Sequence, residues 1–189
     1  MSSSKLISFN ITLNQLANFL TFVRCFIGFF VILLLLGDQN LLACSFLLAG
    51  VLTDALDGWL ARKSINGPSE WGARTDPLAD KLLLLGPVLW LSVNRTIPIW
   101  SVWILFAREL CNSAWRAKQK DGGPASIQGK LKTILQFTSI ILMIWPIDIG
   151  GELFALKLNK IGYILYWPSL IIAITSFLSY LKLNKGSYR

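Results

Sequence analysis

Apolar residues fall in six long blocks separated by short polar breaks. Crossing ~30 Å of hydrocarbon as a helix takes about 20 such residues. The first block covers 16–36 and stops at Gly37-Asp38-Gln39-Asn40. The second runs over 41–63 and gives way to a turn-rich stretch, Ser64-Ile65-Asn66-Gly67-Pro68-Ser69. Asp76 is placed to cap the third, with Pro77 at the favoured first helical position, and that block reaches Val93. Thr96 and Pro98 repeat the start signal for a fourth, which extends into Lys118. Asp121-Gly122-Gly123-Pro124 breaks the chain before a fifth over 126–145, and the sixth covers 161–181. The pattern predicts an all-α polytopic membrane protein with six transmembrane helices. It forms a single domain over 1–189, with a short interfacial segment at 1–15.

An even number of spans puts both termini on one side. Arg62, Lys63, Arg74, Lys81, Arg116, Lys118, Lys120, Lys130 and Lys132 flank the breaks after the second and fourth spans, and Lys182, Lys185 and Arg189 follow the sixth. The other side offers Arg95, Lys157 and Lys160, offset by Asp38, Asp148 and Glu152. The positive-inside rule therefore predicts cytoplasmic termini and cytoplasmic basic loops. Trp90, Trp100 and Trp145 near span ends read as interfacial anchors.

Composition agrees with this picture. Of 189 residues, 54% are hydrophobic and only 15% charged, and the mean hydropathy is +0.57. A soluble domain of this length would need more charge to cover its surface. The net charge of +8 sits in short loops between apolar blocks, which fits anionic headgroups and phosphate substrates, not nucleic acid. Cys25, Cys44 and Cys111 lie inside apolar segments without metal-ligand spacing and read as small buried hydrophobes. No cleavage pattern of a signal peptide follows the first block. The chain has no histidine, so acid–base chemistry falls to carboxylates.

Candidate chemistry concentrates in one stretch. Asp54 and Asp57 are three apart and Asp76 and Asp80 four apart, so each pair shares a helix face. The two helices are consecutive and antiparallel, which lets the pairs face each other. Four carboxylates at membrane depth repel one another and resist desolvation, and divalent cations between them remove both problems. Oxygen-only ligation points to a hard ion, Mg²⁺ first and Mn²⁺ second, and Mg²⁺ commonly joins carboxylates to substrate phosphates. Gly58 and Ala61 leave room for a ligand near the helix backbone, although small residues also serve close helix packing. Arg62 is one turn further on, suited to phosphate, and Gly72 lies one turn before Asp76.

Written out, the stretch is Asp54-x-x-Asp57-Gly58-x-x-Ala61-Arg62, then Gly72-x-x-x-Asp76-x-x-x-Asp80. It closely resembles the eight-residue signature of the CDP-alcohol phosphatidyltransferase family. Nine residues separate Arg62 from Gly72 where the common pattern has eight, and the extra one falls in the Asn66-Gly67-Pro68 turn. Asn18-x-Leu20-Thr21-x-x-Arg24 is similar to the family's entry into its first span, with Gly28 where many relatives carry a proline soon afterwards. Ala107-Arg108-Glu109, Arg116 and Gly129-Lys130-x-Lys132-Thr133-x-x-Gln136 resemble the bacterial-type branch whose acceptor is glycerol 3-phosphate.

The resemblance implies that Asp54, Asp57 and Asp76 bind a pair of metal ions. It implies that Asp80 is the general base and also a metal contact, and that Gly58, Ala61, Arg62 and Gly72 contact the CDP moiety. Substrates would be CDP-diacylglycerol and glycerol 3-phosphate, in a bacterial plasma membrane with the site facing the cytoplasm, and a homodimer is a family expectation. Arg108, Arg116, Lys130 and Lys132 would hold the acceptor's phosphate; for Arg108 an internal ion pair with Glu109 or Asp57 is the plainer alternative. Sister activities with phosphatidylglycerol or inositol phosphate as acceptor remain open. So does an ion pathway, although transporters place acids nearer the midplane.

Overall fold

From residue 3 to residue 27 the chain holds neither glycine nor proline, and a helix once nucleated there meets nothing that stops it. In the computed structural model α1 accordingly runs Ser3–Leu36, starting well before the apolar block. The structure describes the backbone of 3–63, 70–118 and 127–185. Side chains are described over 15–16, 18–54, 56, 75, 77–113 and 131–178. Five further helices follow: α2 Asn40–Lys63, α3 Glu70–Val93, α4 Ile99–Lys118, α5 Ile127–Met143 and α6 Glu152–Lys185. Among the described residues the fold is all-α, six helices without a strand.

Helix boundaries follow the breakers more closely than the hydropathy. α1 ends where the Gln39 amide donates to the Leu34 carbonyl at 2.9 Å and the Asp38 amide to Leu35 at 3.3 Å. Asp38 itself takes the left-handed conformation, φ 57°, a Schellman closure usually given to glycine. The same closure ends α3, with Thr96 donating to Leu91 at 2.9 Å and Arg95 at φ 58°. α6 starts nine residues before the predicted 161, directly after Gly150 and Gly151 with φ of 86° and 80°. α3 departs from expectation too: it begins at Glu70, so Asp76 does not cap it and Pro77 lies inside the helix. Hydropathy marks where a segment becomes apolar, not where its helix begins, and membrane helices accommodate an internal proline.

The chain divides into two compact units, Met1–Pro87 and Val88–Arg189. In the first, α1 and α2 pack as an antiparallel pair about the three-residue turn 37–39. Gly28 and Gly86 set the approach of α3 to α1. A Cβ on Gly28 would collide with the Leu82 carbonyl, and one on Gly86 with the Gly28 carbonyl. The backbones therefore touch, and Val31, Leu35, Leu47, Ala79 and Leu83 close the core beside them. In the second unit α5 and α4 each pack on α6. Gly162 lets α6 lie against the Ser139 carbonyl and the Met143 amide, and the Tyr166 hydroxyl donates to Ser101 Oγ at 3.0 Å.

Polarity is distributed inside out. Phe19, Phe22, Phe26, Phe29, Phe30 and Leu33 are exposed on α1, while Thr21 and Arg24 of the same helix are buried. Soluble proteins bury such phenylalanines and expose such arginines; a chain bathed in lipid does the reverse. Among the described residues two segments, Asn18–Leu36 and Glu152–Leu178, are by length and composition able to cross a membrane. Asn40–Asp54 and Leu131–Met143 are apolar but shorter. None of the three cysteines is in a disulfide; Cys44 is buried, whereas Cys111 is exposed. The expectation of burial fails for Cys111 because it occupies an outward position of α4, beside exposed Leu110.

The Gly28 contact is against main chain, which cannot step aside as a side chain would. Gly28→Ala should lower the unfolding temperature in detergent by the equivalent of about 1–3 kcal/mol, the range for overpacking. Gly37→Ala, whose Cβ would meet its nearest atoms at 3.6 and 3.7 Å, is the control and should leave it unchanged.

Candidate active site

A guanidinium keeps its proton at any accessible pH, so an arginine within an apolar helix must find anionic or carbonyl partners. Arg24 on α1 is fully buried. Its Nη1 donates to Asp54 Oδ1 of α2 at 2.8 Å and to Asp80 Oδ1 of α3 at 3.1 Å. The α1–α2 turn explains the first contact. Arg24 lies 12 residues before the end of α1 and Asp54 14 residues after the start of α2. At ~1.5 Å per residue both stand roughly 20 Å from the turn. The Gly28–Gly86 crossing explains the second, since it brings α3 against α1 one turn beyond Arg24.

The carboxylates are 51% and 42% exposed, against 0% for the arginine. Their oxygens thus gather around one buried positive point while staying open to a ligand. Of the residues expected to form the site, the structure brings together Asp54 and Asp80. The side chains of Asp57, Gly58, Ala61, Arg62, Gly72 and Asp76 lie outside the described residues. Among the described residues no three His, Cys, Asp or Glu side chains cluster. Arg24 had no assigned role in the sequence reading, yet a lone arginine in an apolar block opposite an acid of the next span is a readable signal.

A second polar cluster is built in the other unit. Arg108 of α4 is buried and uses all three of its nitrogens. Nε donates to the Ala173 carbonyl at 2.9 Å, Nη2 to Ser176 Oγ at 3.1 Å and Nη1 to Glu109 Oε1 at 2.7 Å. Lys132 of α5, also buried, donates to the same Glu109 oxygen. The internal ion pair of Arg108 with Glu109 is therefore present. Two of the four expected acceptor residues, Arg108 and Lys132, meet through that carboxylate. Arg116 and Lys130 lie outside the described residues. Glu109 is the member that sequence reading named only as a possible partner.

Comparison with known proteins decides the family. The CDP-alcohol phosphatidyltransferase profile matches residues 14–177. The chain belongs to the CDP-alcohol phosphatidyltransferase family. Among its relatives, a CDP-diacylglycerol–glycerol-3-phosphate 3-phosphatidyltransferase of Rickettsia typhi is 31% identical over 92% of this chain and 98% of its own length. The enzyme of the same name from Haemophilus influenzae is 32% identical over 89% and 92%. A probable phosphatidylglycerophosphate synthase of Mycobacterium tuberculosis is 34% identical over 71% and 68%. This family member therefore carries two of its signature acids, Asp54 and Asp80, on a buried arginine contributed by α1.

Removing Arg24 leaves two carboxylates facing each other. A fully buried pair broken in this way loses ~3–5 kcal/mol, and the half-exposed acids here reduce that to about 1–2 kcal/mol. In a double-mutant cycle followed by thermal unfolding, Arg24→Gln and Asp54→Asn should together be less damaging than the sum of the two single changes. Simple additivity would mean that the contact contributes nothing.

Proposed function

We propose that this chain transfers a phosphatidyl group from CDP-diacylglycerol to sn-glycerol 3-phosphate, giving phosphatidylglycerol phosphate and CMP. The observation that carries the reading is the convergence of Asp54 and Asp80 from two helices onto one cationic point, in a chain of this family. The acceptor rests on the relatives' names, and Arg108 and Lys132, two buried cations that share Glu109, carry one more positive charge than that carboxylate offsets, which suits a phosphorylated alcohol.

Carboxylate oxygens that already gather on a single positive centre, and are half exposed, suit a hard divalent cation. Asp54, Asp57, Asp76 and Asp80 would hold Mg²⁺, or Mn²⁺, as a pair of ions that neutralises the diphosphate of the nucleotide. Gly58, Ala61 and Gly72 leave room for the CDP moiety and Arg62 pairs with its phosphate. Asp80, the general base, takes the proton of the acceptor's primary hydroxyl. That oxygen bonds to the β-phosphorus as the bond to the CMP oxygen breaks, and CMP leaves with the electron pair. The absence of histidine and of a paired nucleophile favours direct in-line transfer. Arg108, Arg116, Lys130 and Lys132 hold the acceptor's phosphate.

The reading includes six membrane spans with both termini cytoplasmic, on the strength of the loop charges. It places the enzyme in a bacterial plasma membrane with a cytoplasmic site, as a homodimer, by resemblance to the family.

Purified protein in detergent, with CDP-diacylglycerol and Mg²⁺, should release CMP when glycerol 3-phosphate is offered. It should not do so with inositol phosphate or phosphatidylglycerol. Chelation should abolish release, and Asp80→Asn should lower it by about 10²–10⁴-fold, the usual contribution of a general base. Release with another acceptor only would move the chain to a sister activity. No release from folded protein would overturn the transferase reading, and an isolated phosphatidyl-enzyme would overturn the direct step.

A further inference from the structure

Gln136 of α5 is fully buried, and among the described residues neither its amide oxygen nor its amide nitrogen has a hydrogen-bond partner. An amide taken out of water without partners is strongly disfavoured, and native structures hold few of them. Three serines of α5 and α6 have other partners. Ser139 donates to the Gln136 backbone carbonyl at 2.8 Å, Ser169 to Tyr166 at 2.7 Å, and Ser176 accepts from Arg108. Gln136 lies four residues beyond Lys132, so the two occupy one face of α5, a single turn apart. That face also carries the contact from Lys132 to Glu109 and hence to Arg108.

We propose that Gln136 is a specificity residue for the acceptor, its amide hydrogen-bonding the secondary hydroxyl of glycerol 3-phosphate while Lys132 and Arg108 take the phosphate. The inference rests on the acceptor reading above. Side chains four apart on a helix stand about 5–6 Å from each other, which matches the reach from a phosphate to the middle hydroxyl of a three-carbon phosphoester. An amide both donates and accepts, and so does a hydroxyl; a phosphate dianion only accepts. The primary hydroxyl is consumed in the reaction, so the secondary one is left for the protein to recognise. Lys132 and Arg108 would then confer affinity for the phosphate, and Gln136 would distinguish a polyol from another phosphorylated compound.

The test pairs Gln136→Leu, which keeps the volume and removes both polar atoms, with Lys132→Gln. Inorganic phosphate serves as a competitive inhibitor that carries no carbon hydroxyl. Gln136→Leu should raise KM for glycerol 3-phosphate roughly three- to tenfold, the range for a neutral hydrogen bond. It should leave inhibition by phosphate unchanged, and the unliganded protein should unfold at the same or a higher temperature. Lys132→Gln should weaken both glycerol 3-phosphate and phosphate. If Gln136→Leu lowers the unfolding temperature while KM stays within twofold, the amide is structural and the proposal fails. An unchanged KM at an unchanged unfolding temperature sinks it equally. If Lys132→Gln alters neither KM nor phosphate inhibition, the acceptor reading itself falls, whatever Gln136 does. Should the leucine variant not fold, Gln136→Met gives the same comparison with a more adaptable side chain.

Discussion

A charge that cannot be neutralised by losing its proton, placed on a helix whose outer face is phenylalanine, leaves the surrounding chain little choice. Arg24 is that charge. Its guanidinium must be met within the protein, and the groups that meet it are Asp54 from α2 and Asp80 from α3. The contact fixes the register of the α1–α2 pair and holds α3 to the face of α1 that Gly28 leaves open. One side of the exchange is stability, because a cation in an apolar medium is tolerable only when paired. The other is function, because two acids that would otherwise repel each other are brought together with their outer sides accessible.

The second unit applies the same rule with different partners. Arg108 divides its donors among a carboxylate, a hydroxyl and a main-chain carbonyl of α6, and Lys132 adds a second cation to the same carboxylate. Polar groups in a lipid-embedded chain turn inward and gather, since each has only the others to bond with. Among the described residues of each unit, these polar groups lie inside while many large hydrophobic residues face outward. Gln136 differs within this arrangement because, among the described residues, both ends of its buried amide lack partners.

Much of this was legible in the sequence. Six helices and their order follow from apolar spacing. What was misplaced were helix starts. α3 and α6 begin before the chain turns apolar, so a hydropathy reading entered both late and took Asp76 and Pro77 for an N-terminus. Arg24 was visible as a motif position without a role. Its role needed the register of the hairpin, which the tight turn at 37–39 supplies by counting residues from each side. Glu109 and Gln136 needed side-chain partners, or their absence, and no periodicity carries that information.

Arg24 and a divalent cation would stand in different relations to the same acids. The guanidinium is permanent and holds its oxygens at hydrogen-bond distance, near 3 Å. Mg²⁺ requires close to 2.0–2.1 Å and near-octahedral geometry, and it retains waters that a substrate phosphate can replace. In the proposed reading, the four signature carboxylates would carry four negative charges, of which one arginine would offset one, and metal ions would answer the rest. A fixed positive charge behind the acids therefore does two things. It holds Asp54 and Asp80 next to each other despite their like charge, and it leaves their outer sides accessible. A lysine at position 24 could supply a charge, but an ammonium shifts its pKa readily when buried, whereas a guanidinium keeps its proton at any accessible pH.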